Sequence, residues 1–212
     1  MLLIAGVLVI GVVLGYVAGG RLRHVEELRL RWWWLAPIGL LMQLAPLPLH
    51  GHANQQVSVA MLIASYPVLL AFAARNIHLP GLPLIFVGLT LNLLVIAVNG
   101  GMPVTRHALV ASGQGNLLQD LVRNGGAKHH LAATGDVLLP LADVIPIGKP
   151  IRQVVSAGDL VTYAGMVWLI VGVMRRRARA TAPAPRPARS GLPAGGPDPT
   201  PRPGDTWRGT GR

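Results

Sequence analysis

The sequence predicts an all-α polytopic transmembrane bundle of five spans, with an outside N-terminus, an inside C-terminus, an amphipathic outer segment between spans four and five, and a disordered C-terminal tail. Three observations lead there. Of 212 residues, 51% are hydrophobic and only 13% charged, whereas about a quarter of an ordinary soluble domain is charged. Five stretches, 2–20, 32–49, 57–74, 82–98 and 157–174, approach the roughly 17–25 apolar residues that cross a bilayer. Arginines cluster in alternate connections, as the positive-inside rule requires. The division is a membrane domain over 1–174 and a tail over 175–212, with the outer segment over 99–150.

The formal net charge of +11 looks at first like a nucleic-acid signal. Its distribution says otherwise. Nine of the nineteen Lys and Arg residues lie at or after Arg175, and four more lie between Arg21 and Arg31. Basic clusters beside apolar spans set orientation, so no nucleic-acid partner is expected. Cysteine is absent, which removes disulfides, thiolate metal sites and cysteine nucleophiles.

Span one lacks the positive n-region of a signal peptide and is long for its apolar core, so it reads as an uncleaved anchor. Its Gly11, Gly15 and Gly19 recur every four residues and lie on one helix face. Such a stripe lets another backbone approach, within the bundle or in a homo-oligomer. Arg21, Arg23, Arg29 and Arg31 then mark an inside loop, and Trp32, Trp33 and Trp34 suit the interfacial aromatic belt. In span two, Pro37 perturbs the helix and Gln43 is an intramembrane amide that needs a partner. The outer connection after it lacks Lys and Arg. His50 and His52 flank Gly51 there, a weak metal signal. Span three contains Pro67 and ends near Arg75, inside. Span four carries Asn92, a second intramembrane amide.

Span four stops at Asn99-Gly100-Gly101. The glycines supply positive φ, Asn99 serves near the same C-cap, and Pro103 prevents resumption. In the outer segment, Asn116 as N-cap with Gln119 three residues later predicts a short helix over 117–123. A helix over 128–139 would place His129, Asp136 and Asp143 roughly together, since they recur every seven residues. With Asn99 they form a candidate outer polar cluster. On a helix this row spans about 21 Å, too long for one ion, so no metal is expected there. Nor is any cofactor. Span five opens with Ser156 and Asp159 as a capping box, and Val155 and Leu160 as its hydrophobic staple. It carries Gly158, Gly165 and Gly172 on about one face. No Asp, Glu, Lys or Arg lies at the centre of a span, which argues against an ion-coupled pump.

After span five, Arg175, Arg176 and Arg177 begin a tail rich in Pro, Gly and Arg. It has too few large apolar residues to offset its ordering entropy. This root is a candidate contact for anionic lipid.

Four motifs taken in order resemble an uncharacterised family of bacterial multi-pass membrane proteins, known only as a domain of unknown function. They are N-G-G-M-P-V after span four, K-H-H-L, L-A-D-V-I-P-I and V-S-A-G-D-L. The matching positions are Asn99, Gly100, Gly101, Met102, Pro103, Lys128, His129, Asp143, Pro146, Ser156, Gly158 and Asp159. The resemblance implies a helical bundle in the bacterial inner membrane. It implies no reaction, substrate or catalytic residue.

Three functions compete. The lack of a convergent nucleophile–base pair favours a non-enzymatic membrane module that binds a small molecule, lipid or partner at its outer face. The second reading is a membrane-embedded enzyme acting on a lipid-linked or amphiphilic substrate through Asn99, His129, Asp136 and Asp143. The third is a small oligomeric transporter with Gln43 and Asn92 along its path.

Overall fold

The computed structural model describes residues 2–26, 28–44, 52–124 and 128–176, with side chains omitted at 52–56, 120 and 122–124. His50, Gly51, the end of span two, Arg177 and the tail from 178 onward lie outside the described residues, as does the side chain of His52.

The chain is mostly helical. Three helices are long and apolar enough to cross a membrane: α4 (His52–Arg75) over residues 57–75, α5 (Leu82–Asn99) and α8 (Ala157–Met174). Two further apolar helices, α1 (Leu2–Val17) and α3 (Leu35–Leu44), are shorter. α2 (Arg23–Glu26) is a single turn. α8 packs chiefly on α5 and α1, while α4 packs on α3 and α5.

The α5–α8 contact is a meeting of two glycine stripes. Gly158, Gly165 and Gly172 face α5 and the turn before it. A Cβ at Gly165 would stand 2.8 Å from both Gly81 O and Ile85 N, and one at Gly158 would stand 2.7 Å from Gly88 O. Gly81 and Gly88 are themselves seven residues apart, so the antiparallel helices present matched bare strips. The backbones approach closely because neither side chain exists, which brings the two helices into dispersion contact along their length.

Gly11 and Gly15 face α8, where a Cβ at Gly11 would crowd Ile170 and one at Gly15 would crowd Met174. The stripe serves packing within one chain. Gly19 departs from the expected packing role: it lies beyond the end of α1 with φ 77°, and nothing stands within 4 Å of a Cβ built there. Gly20 takes the close contact instead, 2.7 Å from Met174 Cβ. The N–H of Arg21 donates to Met174 O at 2.9 Å. This ties the start of the chain to the end of α8.

The segment between α5 and α8 is not a surface helix. It contains β1 (Met102–Val104), α6 (Arg106–Ala111), α7 (Gly115–Asn124), β2 (His129–Leu131), a 3-10 turn (Leu139–Leu141), β3 (Ile145–Ile147) and β4 (Gln153–Val155). The all-α expectation is therefore corrected by two short strand pairs. The helix expected over 128–139 is also absent: β2 pairs parallel with β1, and β3 pairs antiparallel with β4. Gly135, Pro140 and the Ile-Pro-Ile run are poor helix material, and β1 offers free backbone groups that a strand satisfies. α7 does form where a short helix was expected. It starts at Gly115, so Asn116 is inside it.

Candidate functional site

α5 ends as its sequence demands. Gly100 adopts φ 65°, and its N–H returns to Ile96 O. Gly101, also at positive φ, returns its own N–H to Ile96 O at 3.1 Å. Asn99 does more than stop the helix. Its Nδ2 donates to Val95 O at 2.9 Å and to Val137 O at 3.0 Å, and its Oδ1 accepts from the Val137 N–H at 2.9 Å. It thus fastens the loop before the 3-10 turn to the end of the helix.

β1 organises the rest of the segment between α5 and α8. It pairs with β2 on one side, matching Met102 to His129, and bridges to Asp143 through Val104 on the other. Met102 and Val104 are two residues apart and share a face of the strand. Their partners His129 and Asp143 approach to 3.5 Å between Nε2 and Oδ2. The Asp143 backbone is held as well: its N–H donates to Pro103 O at 3.1 Å, and its carbonyl accepts from Thr105 N–H at 3.2 Å.

Asp143 is only 6% exposed, and its Oδ1 is buried with no hydrogen-bond partner among the described residues. Burial, and then the charge of Asp159, push its pKa up to about 8. The carboxyl therefore holds its proton through much of the neutral range. His129 is half exposed, yet desolvation by its surroundings lowers its pKa, and the Asp159 charge opposes that shift.

Beneath this pair lies a polar knot between α5 and α8. Ser156 and Asp159 form a capping box: the Asp159 N–H donates to Ser156 Oγ at 2.9 Å, and the Ser156 N–H donates to Asp159 Oδ2 at 3.2 Å. Asn92 joins both residues. Its Nδ2 donates to Asp159 Oδ1 at 2.7 Å, and its Oδ1 accepts from Ser156 Oγ at 2.8 Å. Tyr66 of α4 is buried beside Asn92 and within the electrostatic reach of both Asp159 and Asp143, and Tyr163 of α8 shares that reach.

The expected outer cluster is thus divided. Asp143 and His129 meet, but Asp136 pairs with the neighbouring His130 at 3.0 Å and also accepts from Ala133 N–H at 2.8 Å. Burial alone would raise the Asp136 pKa; the Ala133 and His130 hydrogen bonds outweigh it and lower the pKa. Strand alternation sends the two histidines to different carboxylates. Gln43 is not mid-helix among the described residues: it is one residue from the end of α3, where its carbonyl accepts from Lys128 Nζ. Burial lowers the Lys128 pKa.

Sequence reasoning missed Tyr66, because a tyrosine in an apolar span carries no spacing signal. It also missed Gly81 and Gly88, although their seven-residue spacing matches that of Gly158 and Gly165. Among the described residues, no group of three or more His, Cys, Asp or Glu could hold a metal ion. Chemically, the arrangement offers a carboxyl able to donate or accept, next to an imidazole and above a satisfied amide–carboxylate knot.

Neither the curated proteins nor the solved structures contain a match to this chain. The model of the Family of unknown function (DUF5317) matches residues 27–171, and the chain belongs to that family.

Proposed function

We propose that this chain is a five-span protein of the bacterial inner (cytoplasmic) membrane, N-terminus outside and C-terminus inside, that binds a small molecule or lipid headgroup at its outer face. The observation that carries the reading is the buried Oδ1 of Asp143, which has no partner among the described residues. A polar atom taken from water without a partner costs about 1–3 kcal/mol, and binding sites are places where such a cost is kept. A ligand group that hydrogen-bonds Asp143 would recover it. The alternating arginines support the orientation, and Arg175, Arg176 and Arg177 would then face the anionic inner leaflet.

The test is native mass spectrometry of the full-length protein purified in its own lipid, comparing native protein with Asp143→Leu at matched abundance. A reproducible bound species lost in the variant is expected. Identical spectra would remove the ligand role of Asp143.

The contact between His129 and Asp143 favours a second reading, an enzyme using the pair for acid–base chemistry on an amphiphilic substrate. General acid–base groups contribute about 100-fold or more to a rate. His129→Ala would then abolish turnover of the bound species while leaving its binding intact.

A further inference from the structure

Away from the polar knot, α4, the start of α3 and the turn before it border an open apolar groove of about 410 Å³, lined by Trp32, Trp34, Leu35, Pro67, Val68 and Ala71. That volume lies in the range of ligand pockets, about 300–1,000 Å³. Its lining is apolar, but one edge is not. The Arg75 guanidinium stacks over the Trp32 ring, 5.2 Å from its centroid. Among the described residues no carboxylate pairs with Arg75.

This edge is built. Trp32 adopts φ 55°, a left-handed conformation that bulky residues avoid. Fully buried Asn76 holds the backbone there. Its Oδ1 accepts from Arg31 N–H at 2.8 Å, and its Nδ2 donates to Arg31 O at 2.8 Å and to Phe72 O at 2.8 Å. The clamp presents the Trp32 ring to Arg75, one residue earlier in the chain than Asn76. Pro67 lies eight residues before Arg75 in α4, so the groove runs about 12 Å down the helix from the cation.

We propose that this groove binds an anionic phospholipid of the surrounding bilayer, with one acyl chain against Trp34, Pro67 and Ala71 and the phosphate on Arg75. The inference rests on the membrane reading above. Charge complementarity selects the occupant: an apolar groove with Arg75 at its rim, unpaired with any carboxylate among the described residues, matches a hydrocarbon chain carrying one anionic head. Arginine suits this role because its planar fork both stacks on an aromatic ring and grips phosphate oxygens.

The experiment uses the full chain with Trp33, Trp168 and Trp207 replaced by Phe, reconstituted in vesicles. The matrix is phosphatidylcholine containing either chain-brominated phosphatidylglycerol or chain-brominated phosphatidylcholine. Bromine quenches tryptophan on contact, so the signal reports Trp32 and Trp34. Half-maximal quenching is expected at about fivefold lower mole fraction of the glycerol lipid, the factor for one basic residue near an anionic surface. Arg75→Gln should abolish the headgroup preference and leave quenching by the choline lipid unchanged. Ala71→Leu, which fills the groove, should reduce quenching by both lipids. Equal quenching by the two headgroups in the native sequence, or a preference that survives Arg75→Gln, would overturn the proposal. Flotation of the same vesicles separates the two readings: protein that floats without a preference defeats the groove alone, whereas protein that stays at the bottom defeats the membrane assignment.

Discussion

Asn92 and Asp159 meet between α5 and α8 at 2.7 Å, the amide of one helix donating to the carboxylate that caps the other. The cap is thereby shared. Asp159 satisfies the N-terminus of its own helix and the side chain of the neighbouring helix at once, and Ser156 closes the circuit through Asn92 Oδ1. Because each member leaves another unsatisfied when removed, their energies are expected to be non-additive. Asn92→Ala and Asp159→Asn should each destabilise the protein by about 1–3 kcal/mol. The double variant should lose less than their sum by at least about 0.5 kcal/mol. Reversible unfolding in mixed micelles measures this; strict additivity would show that the contact does not couple the helices.

The glycine strips make a sharper geometric prediction. Gly165→Ala places a methyl against the backbone of Gly81 and Ile85, neither of which can swing aside. Overpacking of this kind costs about 1–3 kcal/mol. Gly6→Ala introduces the same methyl where nothing stands within 4 Å, and alanine favours a helix over glycine. Melting temperatures should therefore fall for the first variant and hold or rise for the second. A Gly165→Ala protein as stable as the native one would mean that α5 and α8 are not in this contact.

How far the sequence reveals this architecture depends on whether the signal is local. The capping residues Ser156 and Asp159 could be read directly, since a capping box is a four-residue pattern. The end of α5 at Gly100 could be read for the same reason. The glycines of α8 announced a packing face without naming its partner, and Asn92 announced a need for hydrogen bonds without saying which. Between α5 and α8 strand pairing, and not periodicity, decides the structure. His129, Asp136 and Asp143 recur every seven residues, yet β1 captures His129 and Asp143 from opposite sides and leaves Asp136 to His130. Nothing local to residues 128–143 reveals that β1, at 102–104, will organise them. The groove at Trp32 was invisible for a similar reason: its geometry depends on Asn76, 45 positions from its hydrogen-bond partner Arg31.

Asn99 should be needed for the order of the loop around Val137, to which it makes two hydrogen bonds. Asn99→Ala removes both while leaving the glycines that terminate α5. Exchange of the Val137 amide should accelerate about tenfold, equivalent to about 1.4 kcal/mol of lost local protection. Amides in the middle of α5 should keep their rates. Acceleration throughout α5 would indicate instead that Asn99 holds the helix and not the loop.

Asp143 should give the protein a stability that declines through the neutral pH range. In the unfolded chain its carboxyl titrates near about pH 3.9. In the folded protein burial, and then the Asp159 charge, raise that value to about 8. Between these two values the folded state retains a proton that the unfolded state has released, so stability falls as pH rises. The contribution is fully present below about pH 4 and is lost as pH passes through the folded value. Asp136 runs the other way: its depressed pKa gives stability that is present above the unfolded value and lost on acidification, so its window lies below that of Asp143. Asp143→Asn preserves the shape and cannot ionise. Its melting temperature should stay level from about pH 5 to 8 where that of the native protein declines, and it should exceed the native value at the alkaline end. Scanning fluorimetry of both proteins across that range in one detergent makes the comparison. Parallel profiles would show that Asp143 is not the group that holds the proton.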